Sequence, residues 1–125
     1  MFTIDPRSPS PLYEQLIEQT IRSIARGLIR PGEQMPSVRE LAGSLFINPN
    51  TVARAYQELE SRGFITTMRG KGSFVADMPL SLVREEALKQ KMYELRAVAK
   101  ELDVSDEELC QMMERIKEEH KHVDR

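Results

Sequence analysis

Apolar residues recur at helical spacing from early in the chain. Leu12, Leu16, Ile17, Ile21, Ile24 and Leu28 return every three or four positions, which lines one face of an α-helix. Ser10 precedes this run as a helix cap, with Pro11 at the first helical position, where its missing N–H removes nothing. Arg30-Pro31-Gly32-Glu33 predicts a type II turn, because Pro presets φ and Gly tolerates a positive one; the helix should end near 26–28. A short second helix opens with the capping box Ser37-Val38-Arg39-Glu40 and buries Leu41, Ala42, Leu45 and Phe46. A third opens at Asn48-Pro49, carries the stripe Val52, Ala55, Tyr56 and Leu59, and stops at Gly63. Two short helices so closely joined predict a helix-turn-helix.

The pattern then changes. Phe64–Met68 and Ser73–Ala76 have strand composition, and Arg69-Gly70-Lys71-Gly72 between them predicts a β-hairpin. From Pro79 the helical period returns in Leu82, Leu88, Met92, Leu95, Ala99 and Leu102. Ser105-Asp106-Glu107-Glu108 is a second capping box, with Val104 and Leu109 placed to clasp across it and a stripe of Leu109, Met112, Met113 and Ile116 beyond. The predicted fold is mainly α with a small β-hairpin: a winged helix-turn-helix DNA-binding domain over 1–76 and a C-terminal two-helix dimerisation segment over 77–125. The tail helices have apolar faces and no large domain to cover. Burying them takes either the winged domain or a second copy of the chain, and for the second copy Leu88, Met92, Leu95, Leu109, Met113 and Ile116 are the candidate dimerisation residues. The charged end, Lys117–Arg125, is expected to fray.

Composition alters this picture little. The 125 residues are 40% apolar and 30% charged, ordinary for a globular domain with an appendage. No stretch reaches the roughly 18 apolar residues of a membrane span, and the first residues lack the features of a signal peptide, so no membrane contact and a cytoplasmic location are expected. The single cysteine, Cys110, fits a reducing compartment and reads as an inert small hydrophobe. Net charge is −2, which at first argues against nucleic acid. Divided, the chain reads differently. Residues 1–76 hold nine Lys/Arg against seven Asp/Glu, and residues 77–125 hold nine against thirteen. The first part is mildly basic and the tail acidic.

The third helix turns Asn50, Thr51, Ala53, Arg54 and Gln57 away from its buried stripe. Arg54 can fork to guanine O6 and N7 or grip a phosphate, Asn50 and Thr51 can reach base edges or phosphates, and the free N–H groups of the helix start attract phosphate. Arg39 on the second helix is placed for backbone or groove edge. Arg69, Gly70 and Lys71 put two cations on a thin tip suited to the minor groove or to phosphates. The glycine-rich tip joins two strands and lacks a phosphate-loop pattern, so it does not read as a nucleotide site. His120 and His122 sit in the acidic tail without a second ligand cluster, and no nucleophile–base set is apparent. No metal, no cofactor and no enzymatic activity are expected.

The runs Pro11–Leu16, Leu28–Ala42, Asn48–Glu60, Arg62-Gly63 and Gly70–Val75 together resemble the GntR family of bacterial transcription regulators over about 10–76, and the short tail is similar to that of the YtrA-like subfamily. The resemblance implies DNA contact at Arg39, Asn50, Thr51, Arg54, Arg69, Gly70 and Lys71, the set the residues themselves suggest. It also implies dimerisation through the tail and, often, repression of transporter operons. Relatives with an aminotransferase-like domain are far longer, so no pyridoxal phosphate is implied. Phe46 departs from the family, which usually has glycine at that turn. The expected function is therefore a homodimeric repressor bound to an inverted-repeat, double-stranded operator. The alternative is a regulator that senses a small molecule in a pocket at the dimer interface, its effector unnamed by the sequence.

Overall fold

In the computed structural model, which describes residues 2–123, the elements run α1 (Leu12–Ala25), α2 (Val38–Leu45), α3 (Pro49–Ser61), β1 (Ile65–Met68), β2 (Gly72–Val75), α4 (Leu80–Glu101) and α5 (Asp106–Val123). Their mainly helical content with one antiparallel hairpin is the expected winged-helix class. The chain divides into two compact units, Met1–Ala87 and Leu88–Arg125.

In the first unit, α1 contributes Leu16, Ile17, Ile21 and Ile24 to the core, α2 contributes Leu41 and Ala42, and α3 contributes Val52, Ala55, Tyr56 and Leu59. Phe64, Ile65 and Val75 close it from the hairpin, and Val83 from the start of α4. These are the residues whose period predicted the helices, so burial follows the pattern. The hairpin pairs Ile65 with Val75 and Met68 with Gly72. Residues 32–35 add to the other edge of β2: Met35 N–H donates to Ser73 O at 2.8 Å, and Val75 N–H to Glu33 O at 2.8 Å. Gly32 has φ +85° and Glu33 N–H returns to Arg30 O, the expected type II geometry.

The ends of the helices hold the surprises. α1 begins one residue late: Pro11 is the cap and no side chain serves it. Gln15 instead ties down the lead-in, donating from Nε2 to Ser10 O at 2.9 Å and accepting the Asp5 N–H on Oε1 at 2.8 Å. At the other end Gly27 turns left-handed, so Leu28 leaves the helical face and is 54% exposed; the apolar period had assigned it to the core. Phe46 corrects a second expectation. It ends α2 in the left-handed region, φ 57° and ψ 44°, and its side chain is 94% exposed instead of buried with Leu41 and Ala42. Ile47 N–H still bonds Ala42 O at 3.1 Å, closing the helix as a glycine would.

The second unit is a helical hairpin. Asp103, φ 57°, ends α4, and Val104 N–H reaches Ala99 O at 2.8 Å. Glu108 N–H bonds Ser105 Oγ at 3.1 Å, so the predicted capping box forms. Arg96 bonds both carboxylate oxygens of Asp106, at 3.0 and 2.9 Å. Helix α5 runs through Val123, with Lys121 and Glu118 paired 3.4 Å apart. Cys110 is exposed on α5 and does not act as a packed hydrophobe.

Candidate nucleic-acid interface

The geometry of α3 follows from its first turn. Asn48 Oδ1 accepts the Asn50 N–H at 2.8 Å and Pro49 takes the first helical position. The cap fixes the phase of the helix, and Val52, Ala55, Tyr56 and Leu59 then face the core. Asn50, Arg54 and Gln57 are exposed, while Thr51 and Ala53 are half-buried at the edge. Three of the expected DNA-contacting residues thus share the amino-terminal half of one helix.

α2 is capped by its own first turn and tied to α3 through Tyr56. Ser37 Oγ accepts the Glu40 N–H at 3.1 Å, and Glu40 returns to the Ser37 N–H. The Tyr56 hydroxyl donates to Pro36 O at 2.6 Å. Burial, with the nearby Glu40 charge, pushes the Tyr56 phenol well above its ordinary value. Tyr56 therefore stays a neutral donor, tying α3 to the entrance of α2. Arg39 lies exposed in the first turn of α2, with no hydrogen bond or ion pair to any described residue. Arg39 does not pair with neighbouring Glu40.

The wing tip is braced from outside the hairpin. Lys71 N–H closes the turn onto Met68 O at 2.9 Å, with Gly70 at φ +77°. Gln34 Nε2 donates to Lys71 O at 2.9 Å. A Cβ on Gly72 would lie 2.8 Å from that same Nε2, and its φ is +112°. Glycine is what lets Gln34 approach. Arg69, Gly70 and Lys71 are all exposed on the tip. Along β1, Thr67 Oγ1 donates to Glu60 of α3.

Two contributing residues escaped the sequence reading. Gln34 had no motif to mark it. Tyr13 follows Leu12 at the start of α1, outside the apolar stripe read from the sequence; its ring is half-buried and Arg54 Cζ lies 3.7 Å above its centroid. Nothing in the linear order pairs position 13 with position 54.

In the second unit, Leu88, Met92, Leu95, Met113 and Ile116 are exposed, and Leu109 is half-buried. An open groove of about 600 Å³ there is lined by Tyr93, Arg96, Ala97, Lys100, Val104, Ser105, Asp106 and Glu107. Among the described residues no group of His, Cys, Asp and Glu could hold a metal; His120 is exposed, and the side chain of His122 lies outside the described residues. Among them also, no helix is long and apolar enough to cross a membrane.

A profile of the bacterial regulatory proteins of the gntR family matches residues 12–75. The HTH-type transcriptional repressor YtrA of Bacillus subtilis is 39% identical over 118 residues, covering 94% of this chain and 91% of that one. A crystal structure described as a transcriptional antiterminator of Listeria monocytogenes superposes with a TM-score of 0.70 at 34% identity, covering 94% of this chain and 90% of that one. The DNA-binding domain of AraR in complex with operator ORX1 superposes with a TM-score of 0.54 at 30% identity, covering 60% of this chain and 93% of that one. With its matched segment spanning all three core helices and the wing, and with such a relative along nearly its whole length, the chain belongs to the GntR family of bacterial regulatory proteins, DNA-binding transcription regulators and not enzymes.

Proposed function

We propose that this protein is a repressor that binds an inverted-repeat operator as a homodimer. The observation that carries the reading is the exposed amino-terminal half of α3, where Asn50, Thr51 and Arg54 stand opposite a fully packed stripe. A helix so presented fits the major groove, with Arg54 forking to guanine or phosphate. Arg39 meets the DNA backbone beside it, and Arg69, Gly70 and Lys71 reach the minor groove or its phosphates from the wing. Division of labour follows: residues 1–76 read DNA and residues 77–125 pair two readers. The exposed apolar residues Leu88, Met92, Leu95, Met113 and Ile116, with Leu109, support the pairing, since such a stripe is costly to leave in water. The YtrA-like character of the tail directs the search for the operon to transporter genes.

The test starts from duplexes selected out of a random library by the full protein, which should share a two-fold symmetric site. Arg54→Ala should weaken binding to the selected duplex by about 1–3 kcal/mol, with helical content unchanged. Equal affinity of the variant would count against the assignment. Sedimentation should give a dimer at micromolar concentration; a folded monomer would refute the pairing. The open groove lined by Tyr93, Arg96 and Lys100 supports one second reading, a regulator that senses a small molecule in a pocket at the dimer interface. A metabolite that raises the melting temperature and releases the duplex would support it.

A further inference from the structure

The guanidinium of Arg54 is the braced member of the interface. Its Cζ sits 3.7 Å over the Tyr13 ring, which the first turn of α1 presents. Its N–H groups make no hydrogen bond or ion pair with any described residue. A cation over an aromatic ring is engaged through its face, so its in-plane donors remain available to a fork of acceptors. Tyr13 is half-buried, and its hydroxyl is spent on neighbouring Glu14, 3.2 Å from Oε1, not on the core. An aliphatic residue would fill the same edge of the core but would offer no face to a cation. Arg39, by contrast, has no such support.

We propose that Tyr13 is a positioning residue for DNA recognition, holding the Arg54 guanidinium in place before the duplex arrives. The proposal rests on the reading of Arg54 as a DNA contact. A long side chain loses rotamer freedom when it binds, and bracing it beforehand lowers that loss. The contribution belongs to the pair, so it must vanish when Arg54 is gone.

The experiment is a double-mutant cycle on the full-length protein. Dissociation constants are measured by fluorescence anisotropy, at one salt concentration, on a duplex selected by the wild-type chain. Tyr13→Leu should weaken binding about two- to fivefold, and Tyr13→Phe, which keeps the ring, should stay within about twofold of wild type. In an Arg54→Ala background, Tyr13→Leu should change nothing. Tyr13→Leu should also blunt the base preference at the position where Arg54→Ala becomes indifferent, a readout that a merely structural role would leave alone. Should circular dichroism show Tyr13→Leu unfolded, Tyr13→Met takes its place in the same cycle. Equal loss in both backgrounds, or no loss in either, overturns the positioning role. If Arg54→Ala itself binds as wild type, the DNA-contact reading fails and the positioning role fails with it; if only the Tyr13 variants are silent, that reading survives alone.

Discussion

Phe46→Gly is expected to stabilise the protein, although it removes an aromatic ring. Phe46 holds φ 57° and ψ 44°, a conformation in which Cβ crowds the following carbonyl oxygen. For an L-residue with a side chain this costs about 1–2 kcal/mol. Glycine does not incur it, but glycine loses more backbone freedom on folding, a penalty of about 0.4–1 kcal/mol. The ring contributes almost nothing to packing, being 94% exposed. The balance is a gain of roughly 0.5–1 kcal/mol. Urea denaturation followed by circular dichroism, at fixed protein concentration, should show a higher midpoint with an unchanged slope. Phe46→Ala separates strain from ring: it keeps Cβ and the strain, so it should stay at or below wild type. A glycine variant no more stable than the alanine variant would refute the strain argument. A glycine variant less stable than wild type by a kilocalorie or so would mean that the ring packs after all.

Two further variants probe the supports of the interface. Tyr56→Phe removes the bond to Pro36 O and should cost about 1 kcal/mol at neutral pH. The Tyr56 pKa is raised in the folded state, so the proton favours folding. Its stabilisation is complete below the unfolded value near pH 10 and declines as pH rises above it. Urea midpoints for wild type and variant should therefore converge above about pH 10, and a constant gap would contradict the burial of the phenol. Gly72→Ala should destabilise the wing by about 1–3 kcal/mol and speed amide exchange at residues 71–75. Adding Gln34→Ala removes the 2.8 Å clash but leaves φ at +112°, so it should restore only part of the loss.

Where side chains speak to their own backbone, the fold was legible. The capping box at Ser37, the Asn48-Pro49 start of α3 and the second box at Ser105 all formed, because each is a contact within three or so residues. The stripe of α3 was legible for the same reason, and it fixed which side chains face outward. Periodicity failed within three residues past a helix end. Leu28 and Phe46 continue the apolar count, yet each lies at a left-handed turn that rotates the chain off the helical face. The braces of the interface were invisible because they join distant positions: Tyr13 with Arg54, and Gln34 with Lys71. Their chemistry is plain once they meet, but a linear pattern carries no term for the meeting.

The early turns of α4 set where this protein can be cut or recombined. Val83 is wholly enclosed in the first core, Met78 and Ala87 pack against that core, and Arg62 pairs with Glu86 at 3.3 Å. Enclosing a valine is worth about 1.5–3 kcal/mol. A fragment ending just after the wing would forfeit that and leave the core one buried side chain short. The natural splice point is not the loop between wing and helix but the interior of α4, after Ala87, where one compact unit gives way to the next. Grafting a different tail there, in helical phase, would replace the second unit and leave the core of the first intact. A single continuous helix thus serves as both the last wall of one module and the first segment of another.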